Sequence, residues 1–207
     1  MALSDLVRLT KLNDEFADAH LLIAKLQVLP GGDRKSGIES ATKAFQQYED
    51  AEQKANALIA RAALRSDKAQ QISDLSEAIK LDENNSDALT ARATIYTQDN
   101  KFDKATEDLQ RLLEIDGDDV LAMSALAEAL ARQNEFDKAI EIANQAIGKQ
   151  PKSSAGYELR ARIHLMQNDI DAGKQDLDEA IKLNSKSVGA LMLRANVALA
   201  EDRLEDA

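Results

Sequence analysis

The sequence predicts an all-α protein, an α-solenoid built from stacked antiparallel helical hairpins. The 207-residue chain is 44% apolar but only 3% aromatic, so its core must consist mainly of Ala, Leu and Ile, which suit closely packed helices. Its two prolines, Pro30 and Pro151, leave long stretches free to be helical. Residues of matching type also recur at a fixed step of 34 positions, and such a period is typical of helical repeat proteins.

The 34-residue step appears in several columns of equivalent positions. Alanine occupies one column: Ala93, Ala127, Ala161 and Ala195. A large residue precedes each alanine: Leu89, Met123, Tyr157 and Leu191. Asparagine follows the first three: Asn100, Asn134 and Asn168. A small residue comes later in the same three units: Ala105, Ala139 and Gly173. Small residues on both helices of a hairpin allow the helices to approach closely.

One unit shows how the columns form a hairpin. Leu89, Ala93 and Tyr96 follow the spacing of one helix face. Asn100 lies where the chain must reverse, and Asn tolerates the left-handed conformation that ends many helices. A second helix follows with apolar residues inward, and the segment 116–119 (Asp-Gly-Asp-Asp) turns the chain into the next unit.

Residues 86–119 resemble a tetratricopeptide repeat, with a large residue, a small one, Tyr96, and the step from Phe102 to Ala105. The resemblance continues over 120–153 and 154–187. It covers 52–85 less closely, because Gln71 stands where a small residue belongs. We interpret 1–51 as degenerate N-terminal repeats and 188–207 as the start of a truncated one, and therefore expect a fragment of a longer array. The resemblance implies a right-handed superhelix.

The segment 36–65 has two interpretations. Its apolar residues form an unbroken helical stripe, and no turn residue follows Tyr48 near Glu49 and Asp50. It is either a single helix of about 30 residues, roughly 45 Å long, or two helices joined by a tight bend without Gly or Pro. A continuous helix would favour self-association of the chain.

Charge and composition exclude several functions. A net charge of -11 argues against nucleic acid, whose phosphates require a surplus of Lys and Arg. No segment has the roughly 18 consecutive apolar residues of a membrane span. The absence of cysteine excludes thiolate sites but assigns neither the cytoplasm nor the bacterial periplasm. His20 and His164 occupy packing columns, and no catalytic, metal or cofactor motif is present. We therefore predict a protein that is not an enzyme.

Two charged pairs recur at the same spacing. Arg92 and Asp108 are 16 positions apart, as are Arg160 and Asp176. In the unit between them both positions are apolar, Leu126 and Ile142. Because the two positions are both charged in some units and both apolar in another, their side chains are predicted to contact each other across the two helices of the hairpin. We therefore predict structural ion pairs between Arg92 and Asp108 and between Arg160 and Asp176.

The resemblance implies that outward positions of the first helices line a concave groove that binds a protein or peptide. These positions are Asn56, Thr90, Thr94, Thr97, Ser124, Glu128, Arg132, Glu158, Arg162, Met166, Met192 and Asn196. A carboxylate clamp of the kind found in one subgroup is absent, since its positions hold Asn56, Ala60, Ala91, Leu121 and Ala125. The threonines suit an extended peptide, whereas Leu165, Met166, Met192 and Leu199 suit either an apolar anchor or a neighbouring repeat.

Three functions remain open at this stage. The first is a non-catalytic scaffold for a peptide or partner protein, and the second is a self-assembling structural module. The third is an adaptor segment of a larger enzyme whose catalytic domain lies outside this chain.

Overall fold

The computed structural model describes the backbone of residues 2–205 and the side chains of residues 3–201. Within these residues the chain forms twelve helices and no strand. They are α1 (Ala2–Leu12), α2 (Ala17–Gln27), α3 (Arg34–Gln47), α4 (Ala51–Leu64), α5 (Lys68–Leu81), α6 (Ser86–Gln98), α7 (Phe102–Ile115), α8 (Val120–Arg132), α9 (Phe136–Lys149), α10 (Ser154–Met166), α11 (Ile170–Leu183) and α12 (Val188–Glu205).

The chain divides into two compact units, Met1–Asp99 and Asn100–Ala207. In the first unit α2 pairs with α3 and α4 pairs with α5, while α1 packs on α2 and α6 on α5. The first helices of successive hairpins also touch, because α2 packs on α4 and α4 on α6. Small residues form the contact, with Ala24, Ala41 and Ala60 buried around Leu64.

The second unit repeats this arrangement. Here α8 pairs with α9 and α10 with α11, α7 packs on α8, and α10 touches both α8 and α12. Ala161, Leu177, Ala180 and Ala190 form a buried cluster where α10, α11 and α12 meet. The predicted fold class, an all-α solenoid of stacked hairpins, is therefore confirmed.

Three hairpins and the last helix lie within predicted repeat segments. Hairpin α4/α5 lies in segment 52–85 apart from the first residue of α4, hairpin α8/α9 lies in 120–153, and hairpin α10/α11 lies in 154–187. Helix α12 lies in 188–207. The division between units falls inside segment 86–119. The last two residues of the chain lie outside the described residues. We retain the repeat boundaries as a proposal.

The segment 36–65 is broken by a bend, and the single-helix interpretation is wrong. Tyr48 ends α3 with extended backbone (φ −66°, ψ 143°), and its buried hydroxyl donates a 2.7 Å hydrogen bond to Oδ1 of Asp18. Asp50 then begins α4, because its side chain accepts from the backbone N–H of Gln53. A buried side chain and a helix cap thus replace Gly or Pro at this turn. The observation that favoured self-association is accordingly removed.

The asparagine column ends helices in the expected conformation. Asn100, Asn134 and Asn168 have positive φ values of 56°, 62° and 65°. After α8, the N–H of Asn134 donates to the carbonyl of Ala131 and that of Glu135 to the carbonyl of Leu130. This pattern is a Schellman motif, which satisfies carbonyls that a helix end leaves without partners.

Candidate partner-binding site

The predicted groove residues lie on the first helices of the hairpins and reach solvent. Eight side chains are exposed: Thr90, Thr94, Thr97, Arg132, Arg162, Met166, Met192 and Asn196. The other four are half-buried: Asn56, Ser124, Glu128 and Glu158. Since α4 touches α6, and α10 touches both α8 and α12, each unit presents its own row of first helices.

In the first unit a depression of about 250 Å³ opens beside Thr94, between α4 and α6. Leu75 of α5 and Ala62 are its most buried lining residues. Its remaining lining residues are Ile59, Ala63, Gln71, Ala91 and Ile95. The depression is therefore mostly apolar, with a hydroxyl at its edge.

Gln71 supplies the other polar group of this depression. Its side-chain N–H donates a 2.8 Å hydrogen bond to the carbonyl of Arg65, which fixes the amide near the end of α4. Sequence reasoning noted Gln71 as a departure from the repeat pattern but did not place it at a site. It also missed Ile59 and Ile95, because it considered only the outward positions of each helix.

The hydroxyl groups of the predicted groove already have acceptors. Oγ1 of Thr94 donates to the carbonyl of Thr90 at 2.8 Å, and Oγ1 of Thr97 donates to that of Ala93 at 2.9 Å. Ser124 does the same to Val120 at 2.8 Å. A hydroxyl has one donor and two acceptor sites. These side chains therefore keep acceptor capacity for the N–H groups of a bound peptide.

In the second unit three charged side chains cluster on α8 and α10. Oε2 of Glu128 lies 3.5 Å from Nη1 of Arg162, and its Oε1 lies 4.0 Å from Nη2 of Arg132. Two guanidinium groups thus share one carboxylate, which leaves the cluster with a net positive charge. Exposed ion pairs of this kind contribute little to stability, so the arginines are available to a partner carboxylate.

The side chain of Glu158 is half-buried and bonds to another residue of the protein instead. Its Oε1 accepts a 2.6 Å hydrogen bond from the hydroxyl of Ser187, just before α12. A Cβ atom added at Gly189 would lie 2.6 Å from Oε2 of Glu158, so a larger residue there would require the end of the Glu158 side chain to shift. Glu158 therefore links α10 to the start of α12, and its contact with a partner stays a prediction.

The predicted apolar region separates into core and surface residues. Leu165 packs against the buried cluster of Ala161 and Leu177. By contrast, Met166, Met192 and Leu199 are exposed, Met192 to 62%. Leu121 of α8, which sequence reasoning assigned only to a carboxylate-clamp position, is 82% exposed. Exposed Met and Leu side chains suit an adaptable apolar contact.

One of the two predicted ion pairs links the two helices of a hairpin. The structure brings Arg160 and Asp176 together, with Nη2 and Oδ1 2.6 Å apart. Arg92 donates a 2.9 Å hydrogen bond to the hydroxyl of Ser76. Since Arg92 and Asp108 belong to different units, their pairing stays a prediction.

A further buried carboxylate was missed. Asp74 binds Nη2 of Arg61 at 2.8 Å and Nε of Arg65 at 2.6 Å. Asp74 stands one 34-residue step before Asp108, which was the available signal. Its partner was missed because the equivalent of Arg92 is the apolar Leu58, and the arginine has moved one helical turn along α4 to position 61.

Each histidine lies close to an oxygen atom of an aspartate residue. His20 is 3% exposed, and its Nε2 lies 3.0 Å from the carbonyl oxygen of Asp14. His164 is half-buried, with Nε2 3.8 Å from Oδ2 of Asp176. Among the residues that the structure describes, no group of three or more His, Cys, Asp or Glu side chains is placed to hold a metal ion. In that same part of the chain, no helix combines the length and apolarity needed to cross a bilayer.

Comparison with known families agrees with the repeat pattern. One model of the tetratricopeptide repeat matches residues 96–163, and a second matches residues 158–207. The two matches together run over more than half of the chain. The chain belongs to the tetratricopeptide repeat family. No curated protein is a significant match to its sequence.

Solved tetratricopeptide repeat structures share the fold at low identity. YrrB, described as a tetratricopeptide repeat protein with an unusual peptide-binding site, is 16% identical with a TM-score of 0.74, over 92% of this chain and 97% of its own. MamA (residues 41 to the end) from Desulfovibrio magneticus RS-1 is 16% identical with a TM-score of 0.70, over 83% of this chain and 97% of its own. A tetratricopeptide repeat protein from Parabacteroides merdae is 19% identical with a TM-score of 0.71, over 98% of this chain and 80% of its own.

The tetratricopeptide repeat fold bears on function at a general level. It supports a role as a scaffold for protein–protein interaction, and proteins of this family are typically non-catalytic interaction modules.

Proposed function

We propose that this tetratricopeptide repeat protein is a non-catalytic scaffold that holds a peptide or an extended segment of a partner protein on its first helices. The observation that carries the proposal is the row of touching first helices in each unit, α4 with α6 and α8 with α10, whose outward side chains reach solvent. The likeness of fold to YrrB, described as having a peptide-binding site, supports a peptide as the partner class.

The chemistry of the first unit favours an apolar anchor residue. The depression of about 250 Å³ beside Thr94 has room for one aliphatic or aromatic side chain. Thr94 lies at its edge and can accept a hydrogen bond from a peptide N–H, because its own hydroxyl proton is already donated to Thr90. Apolar burial would give affinity, and the hydroxyl would orient the peptide.

The chemistry of the second unit favours a partner carboxylate. Arg132 and Arg162 share Glu128 and together keep a positive charge, while the whole chain carries -11. A carboxylate is therefore attracted to this cluster and repelled from most of the remaining surface. Leu121 and Met166 offer apolar contact on the same two helices.

The proposal is tested with peptides selected from a random-peptide display on the full chain. Substitution of Thr94, Arg132 and Arg162 together by Ala should weaken their binding by at least about tenfold, a loss of about 1.4 kcal/mol. The matched control replaces an exposed hydroxyl and two exposed bases on second helices: Ser73, Lys80 and Lys182. Unchanged binding by the first triple variant would refute the proposal, as would an equal loss in the control.

A further inference from the structure

Arginine side chains form hydrogen-bonded bridges between successive second helices. In the second unit Arg160 reaches from α10 to Asp176 on α11, at 2.6 Å, and to Asn144 on α9. In the first unit Arg61 reaches from α4 to Asp74 on α5, at 2.8 Å, and to Thr42 on α3, at 3.3 Å. A polar bridge from a first helix thus occupies each of these spaces.

The space between α7 and α9 lacks such a bridge. Leu126 stands one 34-residue step before Arg160, and Ile142 one step before Asp176. Gln110 likewise takes the place of Asn144. Without an ion pair to fill it, this space forms a depression of about 420 Å³. Leu126 and Leu130 are its most buried residues, at 3% and 5% exposed, and the half-buried Leu113 and Ile142 complete the apolar lining.

The rim of this depression is acidic. It consists of Gln110, Glu114, Lys138 and Glu141. Lys138 is already paired with Glu135, whereas Glu114 and Glu141 form no ion pair with any other described residue. The depression is therefore apolar within and negatively charged at its edge.

We propose that this depression is a docking site for one aliphatic side chain of a partner polypeptide that carries Lys or Arg beside it. The lining side chains of Leu113, Leu126, Leu130 and Ile142 match an aliphatic group and offer it no hydrogen bond. Glu114 and Glu141 complement adjacent positive charges, which set the orientation and exclude acidic segments. The site lies between second helices, so it is distinct from the surface described under the proposed function.

The site is tested by titrating the full, isotope-labelled chain with the peptide acetyl-Gly-Lys-Leu-Lys-Gly-amide and recording backbone amide shifts. Shift changes should concentrate on α7, α8 and α9. Replacing the peptide's Leu by Ala should weaken binding by about tenfold or more, since lost methyl groups in an apolar site carry that order of discrimination. Replacing both Lys by Glu should abolish binding. Equal shifts with the Glu peptide, or shifts spread over the whole chain, would overturn the proposal.

A double variant supplies the decisive control. L126R/I142D introduces the ion pair that the neighbouring hairpin forms between Arg160 and Asp176, so the fold has a precedent for it. This variant should keep its helix content and lose peptide binding. E114Q/E141Q should weaken binding of the Lys peptide several-fold and leave that of a Gly-Leu-Gly peptide unchanged. Full binding by folded L126R/I142D would refute the site, and if that variant fails to fold, the peptide comparison on the unchanged chain decides.

Discussion

Arg160 and Asp176 are joined by two parallel hydrogen bonds, from Nε to Oδ2 at 2.8 Å and from Nη2 to Oδ1 at 2.6 Å. The ring of Tyr157 lies 5.7 Å from the guanidinium carbon. The hydrogen bond to Asp176 raises the pKa of Arg160 above its ordinary value, against the opposing effect of burial. The pair links α10 to α11, and two-point contacts of this kind hold both groups in a fixed geometry.

Removal of Arg160 should cost more stability than removal of Asp176. The carboxylate of Asp176 is 8% exposed, whereas the Arg160 side chain is 26% exposed and can regain water. R160A should therefore lower the free energy of unfolding by about 3 kcal/mol, and D176A by about 1.5 kcal/mol. Urea denaturation followed by circular dichroism measures both.

Replacing both Arg160 and Asp176 should destabilise the protein less than replacing either one alone. R160L/D176I copies the apolar pair found at Leu126 and Ile142 and should lie within about 1 kcal/mol of the unchanged chain. R162L is the control, because the pair of Arg162 and Glu128 is exposed and its loss should cost less than about 1 kcal/mol. A double variant as unstable as the sum of the single ones would contradict this account.

Replacement of Asn134 by alanine should destabilise the protein. Its φ of 62° is unfavourable for a residue with an ordinary Cβ, so N134A should lose about 1 kcal/mol of stability. N134G should lie within about 0.5 kcal/mol of the unchanged chain, because glycine adopts this conformation readily.

The control for Asn134 is the same substitution inside a helix. Asn196 lies within α12 and is exposed, and N196A should be neutral or slightly stabilising because alanine has the higher helix propensity. Thermal unfolding of the three variants measures the difference. Equal losses for N134A and N196A would show that the left-handed conformation is not the cause.

The contact between Lys43 and Asp14 should make stability depend on pH. Nζ of Lys43 lies 2.6 Å from Oδ1 of Asp14, and this hydrogen bond lowers the pKa of Asp14 below its ordinary value of 3.8, with a smaller contribution from His20. Because the pKa of Asp14 in the folded state is below its ordinary value of 3.8, the contact stabilises the folded protein at pH values above 3.8. This stabilisation is lost as the pH falls through the lowered pKa.

The variant K43M should therefore be less stable than the unchanged chain at neutral pH and equal to it in strong acid. The measurement is the urea midpoint at both pH values. K25M is the matched control, since Lys25 is exposed on α2 and its substitution should have no such pH dependence. A K43M difference of the same size at both pH values would exclude the pairing as its cause.

Much of the fold could be predicted because repeated packing leaves a periodic signal. Ala127 and Ala161 are buried where hairpins need close contact, and Asn134 ends its helix as its residue type indicated. The bend after α3 has only the local helix cap of Asp50 as a sequence signal, and its other determinant is a hydrogen bond from Tyr48 to Asp18, 30 positions earlier. Tertiary contacts of this kind override the local helical pattern.

The candidate site was less predictable than the fold. Outward positions such as Thr94 and Arg162 follow from the repeat spacing, but their bonds do not. The pairing of Glu128 with Arg162 joins two hairpins, and the two depressions depend on how side chains of three helices fill space. The repeat period of one sequence identifies which residues occupy equivalent positions. It does not give the volume left between helices, which depends on how their side chains pack.

Packing between near neighbours also affects how the chain folds. In each unit, the described helices pack on helices one or two places away in chain order. Folding can therefore begin in any hairpin without closing a long loop, and chains with such short-range contacts tend to fold rapidly. The same arrangement makes the molecule modular in evolution. A gene duplication or deletion that spans one 34-residue period would change the length of the stack and still give each hairpin neighbours of a kind it already accommodates.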